Sequence, residues 1–185
     1  MHELILGGQR SGKSRCAEQR AAAWLADAPH SAVLLATAHA GDEEMRLRIA
    51  HHRLQRAERL PALECVEVPI ELAQAIFRHS APDRLVVIDC LTLWLTNLLM
   101  PLDADALDDI EWDLAREALC DAVSEASGPV LLVSNEIGLG VAPMSREARR
   151  CVDELGRLHQ AMAARCDRVT LMVAGIEVPV KRGPR

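Results

Sequence analysis

Leu4-Ile5-Leu6-Gly7-Gly8-Gln9-Arg10-Ser11-Gly12-Lys13-Ser14-Arg15 decides how the chain is read. Gly7 to Ser14 satisfy the pattern G-x-x-x-x-G-K-[ST]. An apolar run precedes them, and helix formers from Arg15 to Leu25 follow. Strand, loop and helix therefore stand in the order a phosphate cradle needs. The glycines let the backbone turn tightly and aim N–H groups at phosphate oxygens, and the helix N-terminus adds positive potential. Lys13 is placed to reach the β- and γ-phosphates and Ser14 to ligate magnesium. Without that context the same residues would read as a glycine turn at a helix start.

Further apolar, β-branched runs occur at Val33–Ala36, Leu85–Ile88, Val130–Val133 and Val169–Val173, with a weaker one at Leu63–Val68. Helical composition marks Lys13–Asp27, Asp42–Arg59, Ile70–Arg78, Leu91–Met100, Asp105–Glu125 and Arg146–Arg165. Near-continuous apolar strands alternating with helices predict a mostly parallel sheet covered on both faces, an α/β sandwich of the P-loop NTPase type. At 185 residues, with half of them apolar, one domain over 1–180 is expected, followed by a polar tail, 181–185.

A formal charge of −6 and a pI near 5.6 oppose a general nucleic-acid binder, because such affinity rests on many cation–phosphate contacts. The only aromatic residues are Trp24, Phe77, Trp94 and Trp112, too few for base-stacking platforms. Six scattered cysteines form no C-x-x-C pair, so neither a zinc site nor a disulfide framework is expected. No signal peptide is apparent, and the apolar stretch around Ile88–Pro101 is too short and too polar to span a bilayer. These features point to a cytoplasmic protein.

Leu85-Val86-Val87-Ile88-Asp89 ends a strand in a carboxylate, the way an acid reaches the magnesium of a bound triphosphate. Asp42–Arg59 has acids in its first turn and arginines at 46, 48, 53, 56 and 59, matching the helix dipole. Met45, Ile49 and His52 share a face, with His51 about 100° away. The pair can be a structural feature of a surface helix, or an imidazole can attack a nucleotide phosphorus while arginines hold the polyphosphate. Ser134-Asn135-Glu136-Ile137-Gly138-Leu139-Gly140 follows a strand, where it serves either as a turn or as a substrate loop.

Together these segments resemble the bifunctional adenosylcobinamide kinase/adenosylcobinamide-phosphate guanylyltransferase family of cobalamin biosynthesis, from end to end. The resemblance is carried by the opening loop, Ala36-Thr37-Ala38, Asp42-Glu-Glu-Met-Arg-Leu-Arg-Ile-Ala-His-His-Arg53 and Ile88-Asp-Cys-Leu-Thr-Leu-Trp-Leu-Thr-Asn-Leu-Leu99. Ser134–Pro143, Gly156-Arg-Leu-His-Gln160 and Val173-Ala-Gly-Ile176 complete it. It implies phosphorylation of adenosylcobinamide by a nucleoside triphosphate, ATP or GTP. A histidine then takes GMP from GTP and passes it to the new phosphate, giving adenosylcobinamide-GDP.

By this resemblance the nucleophile is His52, four residues before Arg56 and twelve before Glu64, with His51 the alternative. Gly7, Gly8, Gln9, Arg10, Ser11, Gly12, Lys13, Ser14, Ala36, Thr37, Ala38, Arg53, Leu54, Gln55, Arg56 and Glu64 would contact nucleotide. Asp89 would approach magnesium or nucleotide, with Ser14 and Asp89 as the Mg2+ ligands, and Lys13 would join His52 as a catalytic residue. The corrinoid is the small-molecule partner, and a homotrimer is implied. The chain departs from the family pattern at Ala57 and Leu60, usually proline and tryptophan, at Met144-Ser145, commonly Glu-Asn, and at His159, commonly asparagine. Two rival readings are a plain small-molecule kinase and a nucleotide-dependent switch. No Asn-Lys-x-Asp guanine-reading tetrad supports the switch.

Overall fold

A computed structural model places seven strands and five bounded helices among its described residues. It describes residues 1–27, 29–39, 41, 43, 46, 47, 50, 54 and 58–183. In chain order they are β1 (His2–Gly7), α1 (Lys13–Leu25), β2 (Ser31–Ala36), β3 (Glu64–Glu67), α2 (Leu72–His79), β4 (Arg84–Asp89) and α3 (Leu91–Leu99). Then come α4 (Asp109–Glu125), β5 (Val130–Val133), α5 (Arg146–Arg165), β6 (Arg168–Val173) and β7 (Ile176–Lys181). Between β2 and β3 the described residues Glu43, Arg46, Leu47, Ala50, Leu54, Glu58 and Arg59 are helical and exposed.

The sheet order is β3-β2-β4-β5-β1-β6-β7, parallel throughout except for the β6/β7 pair. Its central strands β2, β4 and β5 read as apolar runs because both faces are covered there. Leu4, Val33, Leu35, Val86, Ile88 and Leu132 pack with Trp94, Trp112, Leu155 and Leu158 of the helices on one face. Ile5, Leu34, Val87, Leu131 and Val133 pack with Cys16, Ala17 and Ala21 of α1 on the other. Parallel pairing puts the strand carboxyl ends along one edge, and β1 lies where the chain crosses from β5 to β6. In open parallel sheets that crevice is where ligands bind.

Several expected boundaries shift. α1 ends at Leu25 rather than Asp27, and α2 covers Leu72–His79 rather than Ile70–Arg78. α3 stops at Leu99, one residue before Met100. α4 begins at Asp109, not Asp105, because Asp108 and Glu111 form a capping box that sets its first turn. The tail expected from Lys181 starts one residue too early: Lys181 closes β7, and its Nζ donates to the carbonyl of Cys166 at 2.6 Å. β7 escapes the apolar-run criterion because all six of its residues are exposed and Pro179 interrupts it, as an edge strand allows. The hairpin into it turns on Ala174 (φ 52°) and Gly175 (φ 82°), the doubly positive pair of a type I′ turn.

Candidate functional site

The loop after β1 is shaped by backbone conformations that glycine permits. Gly7 has φ 155°, and a Cβ there would lie 2.6 Å from both the Met172 carbonyl oxygen and Ser11 Oγ. Gly12, at φ 103°, turns the chain into α1. No side chain caps that helix start, so its first N–H groups remain available to an anion. Ser11 Oγ is buried without a hydrogen-bond partner among the described residues. Lys13 is only 7% exposed and its Nζ donates to the Gly8 carbonyl at 2.7 Å. Burial holds its ammonium below the usual lysine range, opposed by its interactions with the Cys90 and Asp89 side chains. A phosphate entering the cradle would supply the counter-charge this buried cation lacks.

Asp89 ends β4 two strands from β1, and Ser14 Oγ donates to its Oδ2 at 3.3 Å. A hydroxyl and a carboxylate are hard oxygen donors that suit magnesium, which is commonly held by one or two protein ligands plus substrate phosphates and water. No larger His/Cys/Asp/Glu cluster with metal-binding geometry occurs among the described residues.

Ala36 is level with Asp89 in the β2/β4 ladder, and Thr37 follows it, completely buried. Thr37 Oγ1 donates to the Cys90 carbonyl at 2.7 Å and accepts from Cys90 N at 2.8 Å, while Asn97 Nδ2 donates to the Thr37 carbonyl at 2.8 Å. Thr37 thus holds the turn that presents Asp89. Burial raises the Cys90 thiol to about 11, so it is a packed thiol rather than a nucleophile.

A second polar group lies past β5, the strand between β4 and β1. Ser134 is fully buried; its Oγ is 3.0 Å from Thr92 Oγ1 and 2.8 Å from His159 Nε2. His159 Nδ1 is 3.6 Å from Glu136 Oε2. Burial pushes the His159 imidazole toward neutrality, with the Glu136 charge opposing. Glu136 N donates to the Gly7 carbonyl at 2.9 Å, so this loop runs alongside the phosphate cradle. Ser134 opens the loop expected to serve as a turn or a substrate loop, whereas Thr92 and His159 were not among the expected site residues. Their polar side chains in otherwise apolar surroundings are the signal that could have found them.

Gln9 and Arg10 are exposed on the loop, and Ala38 is half-buried beyond β2. Glu64 is not brought to the cradle within this chain. It opens β3 at the amino end of the sheet and pairs with Arg84, and four strand spacings of ~4.8 Å put β3 about 19 Å from β1. Leu54 is helical and 65% exposed. His51, His52, Arg53, Gln55 and Arg56 lie outside the described residues.

A phosphate loop, an acid-ended strand beside it and a polar loop between the two are the parts of a phosphoryl-transfer site. The fold is shared with proteins of little sequence likeness. One is a structural-study protein from Pyrococcus horikoshii OT3, with TM-score 0.57 and 7% identity over 98% of this chain and 86% of that one. Another is the flagellar accessory protein FlaH from Methanocaldococcus jannaschii, with TM-score 0.51 and 11% identity over 98% and 78%. By sequence the chain is 48% identical to the bifunctional adenosylcobalamin biosynthesis protein CobP of Pseudomonas aeruginosa, over 100% of this chain and 99% of the relative. It is 37% identical to the bifunctional adenosylcobalamin biosynthesis protein CobU of Salmonella typhimurium, over 96% and 98%. A family model described as cobinamide kinase / cobinamide phosphate guanyltransferase matches residues 3–180, and the chain belongs to that family.

Proposed function

We propose that this chain phosphorylates adenosylcobinamide with a nucleoside triphosphate and then transfers GMP from GTP to the product, releasing pyrophosphate. The observation that carries this reading is the buried, carbonyl-bound Lys13 in an uncapped phosphate cradle, with Ser14 and Asp89 in contact beside it, in a member of this family. In the kinase step the acceptor hydroxyl oxygen bonds to the γ-phosphorus as the bond to the bridging oxygen breaks. Lys13 and the amides of Gly7 to Ser14 stabilise the charge on the phosphoryl oxygens. Ser14 and Asp89 would hold Mg2+, which when bound neutralises charge across the β- and γ-phosphates.

In the second reaction a ring nitrogen of His52 attacks the α-phosphorus of GTP. Pyrophosphate leaves, and an oxygen of the cobinamide phosphate then displaces the histidine. Arg53, Leu54, Gln55, Arg56 and Glu64 belong to this half. The distance of Glu64 from the cradle supports a nucleotide position separate from the phosphate loop. Ala36, Thr37 and Ala38 form the nucleotide-facing end of β2, Thr37 acting through the Cys90 turn. One catalytic domain that runs through Lys181 and a homotrimeric assembly complete the proposal. Six free cysteines, five of them buried, fit a reducing cytoplasm, and no described helix is long and apolar enough to cross a membrane.

The test is incubation with GTP labelled at the α-phosphate, followed by mapping of acid-labile, alkali-stable label. Label on His52 that is lost in His52→Ala, with kinase turnover retained, is the expected result. Kinase turnover with no adduct would leave a plain kinase in which the histidine pair is structural.

A further inference from the structure

The loop after β5 carries a carboxylate that the reading above does not use. β5 lies between the strand bearing Asp89 and the strand bearing the phosphate cradle, in register with both through Val133. The chain leaving it therefore emerges about one strand spacing, ~4.8 Å, from each. Ser134 N donates to the Ile5 carbonyl and Glu136 N to that of Gly7, which extends the ladder past the end of β1.

The Glu136 carboxylate is 23% exposed. One oxygen accepts Gly138 N at 2.8 Å and the other faces His159 Nδ1. A carboxylate only accepts, so the proton of a neutral His159 imidazole is assigned to Nδ1, directed at Glu136; Nε2 then accepts from Ser134 Oγ, and Ser134 Oγ accepts from Thr92 Oγ1, which itself accepts from Asn135 N at 2.8 Å. Burial, which holds His159 in its neutral form, agrees with the assignment. Each carboxylate oxygen keeps a lone pair for a further donor.

We propose that Glu136 is a catalytic residue of the kinase step, accepting the proton of the acceptor hydroxyl beside the phosphate cradle, and that His159 is its positioning residue. The inference rests on the kinase reading. As the hydroxyl oxygen bonds to the γ-phosphorus, its proton passes to the Glu136 carboxylate, and the nucleoside diphosphate leaves with the electron pair of the broken P–O bond. Gly138 N holds one carboxylate oxygen at 2.8 Å, and His159 Nδ1 lies 3.6 Å from the other on the buried side, which limits the orientations of the oxygen that takes the proton.

The experiment measures kinase kcat and both KM values for wild type, Glu136→Gln, Glu136→Asp, His159→Asn and His159→Gln, with urea midpoints as a check on folding. Base removal is expected to lower kcat at least ~100-fold in Glu136→Gln, with both KM values within about threefold. Glu136→Asp keeps a carboxylate and should recover part of the loss. In His159→Asn the amide nitrogen takes the place of Nδ1. In His159→Gln it takes the place of Nε2, so the Asn variant should exceed the Gln variant by at least about tenfold. A Glu136→Gln kcat within about threefold of wild type would overturn the proposal, as would equal rates in the two His159 variants. A wild-type chain with no kinase turnover would remove the kinase reading and this inference together, whereas an active wild type with an active Glu136→Gln removes this inference alone.

Discussion

Thr37→Val tests whether the turn after β4 is held by one buried hydroxyl. Valine matches threonine in shape, so the substitution removes two hydrogen bonds without opening a cavity. Their lengths are 2.7 Å to the Cys90 carbonyl and 2.8 Å from Cys90 N, at a residue that is 0% exposed. The two losses differ in cost. The Cys90 carbonyl still accepts Trp94 N at 3.2 Å, whereas Cys90 N is left buried without its Thr37 partner, and an unsatisfied donor costs about 1–3 kcal/mol. The extra apolar surface of valine offsets only part of this, so a net loss of about 2 kcal/mol is expected. That corresponds to a Tm lower by roughly 4–8 °C in a chain of this size and to a fall of about 1 M in the urea midpoint. Thr37→Ser keeps the hydroxyl and should lose less than Thr37→Val. Because Asp89 precedes the loosened turn, kinase kcat should fall with stability in the valine variant. A valine variant within about 0.5 kcal/mol of wild type, or a serine variant that is the less stable of the two, would refute the argument.

Lys13→Met should lower kinase kcat by two to three orders of magnitude, the kinetic equivalent of the ~3–4 kcal/mol lost with one transition-state phosphate contact; steady-state turnover decides it, and a change under tenfold counts against the cradle. Gly7→Ala drives a methyl to 2.6 Å from the Met172 carbonyl, so nucleotide affinity measured by calorimetry should collapse, while Gly8→Ala, with open space around it, should be far milder. Trp112→Phe deletes the 2.7 Å bond from Nε1 to buried Glu154 and should cost about 1–3 kcal/mol in urea unfolding. Burial holds both His2 and His159 below the ordinary histidine range, so below the unfolded value of ~6.5 the unfolded chain binds more protons than the folded one. Stability should therefore be full above that pH and decline as the pH falls below it, and His159→Asn should flatten the slope; a urea midpoint that does not fall below that pH would refute it.

What could be read in the residue string divides by the range of the interaction that specifies it. The phosphate cradle needs three things consecutive in sequence: glycines at positive φ, a lysine and a helix start. The structure has each of them at Gly7, Gly12 and Lys13. The strands were legible because burial on both faces leaves long apolar runs, and β7 was not, because an exposed edge strand has no such need. The position of Glu64 depends on strand order, which places β3 four strands from β1, and no local pattern encodes strand order. Thr37 and His159 show the same limit in chemistry. Thr37 acts on a residue 53 positions away and His159 on one 25 positions away, and each side chain is ordinary until its partner is known. The sheet makes those meetings by placing β5 between the acid-ended strand and the cradle strand. Any polar residue just past β5 is thereby carried between Asp89 and Gly7. That placement makes Glu136 a stronger candidate for the chemistry than its own segment suggests. Placement alone is not sufficient: it is the Glu136 carboxylate that accepts Gly138 N and faces His159, so moving the carboxylate one residue along the loop, in the paired substitution Glu136→Gln with Asn135→Asp, will not restore kinase kcat.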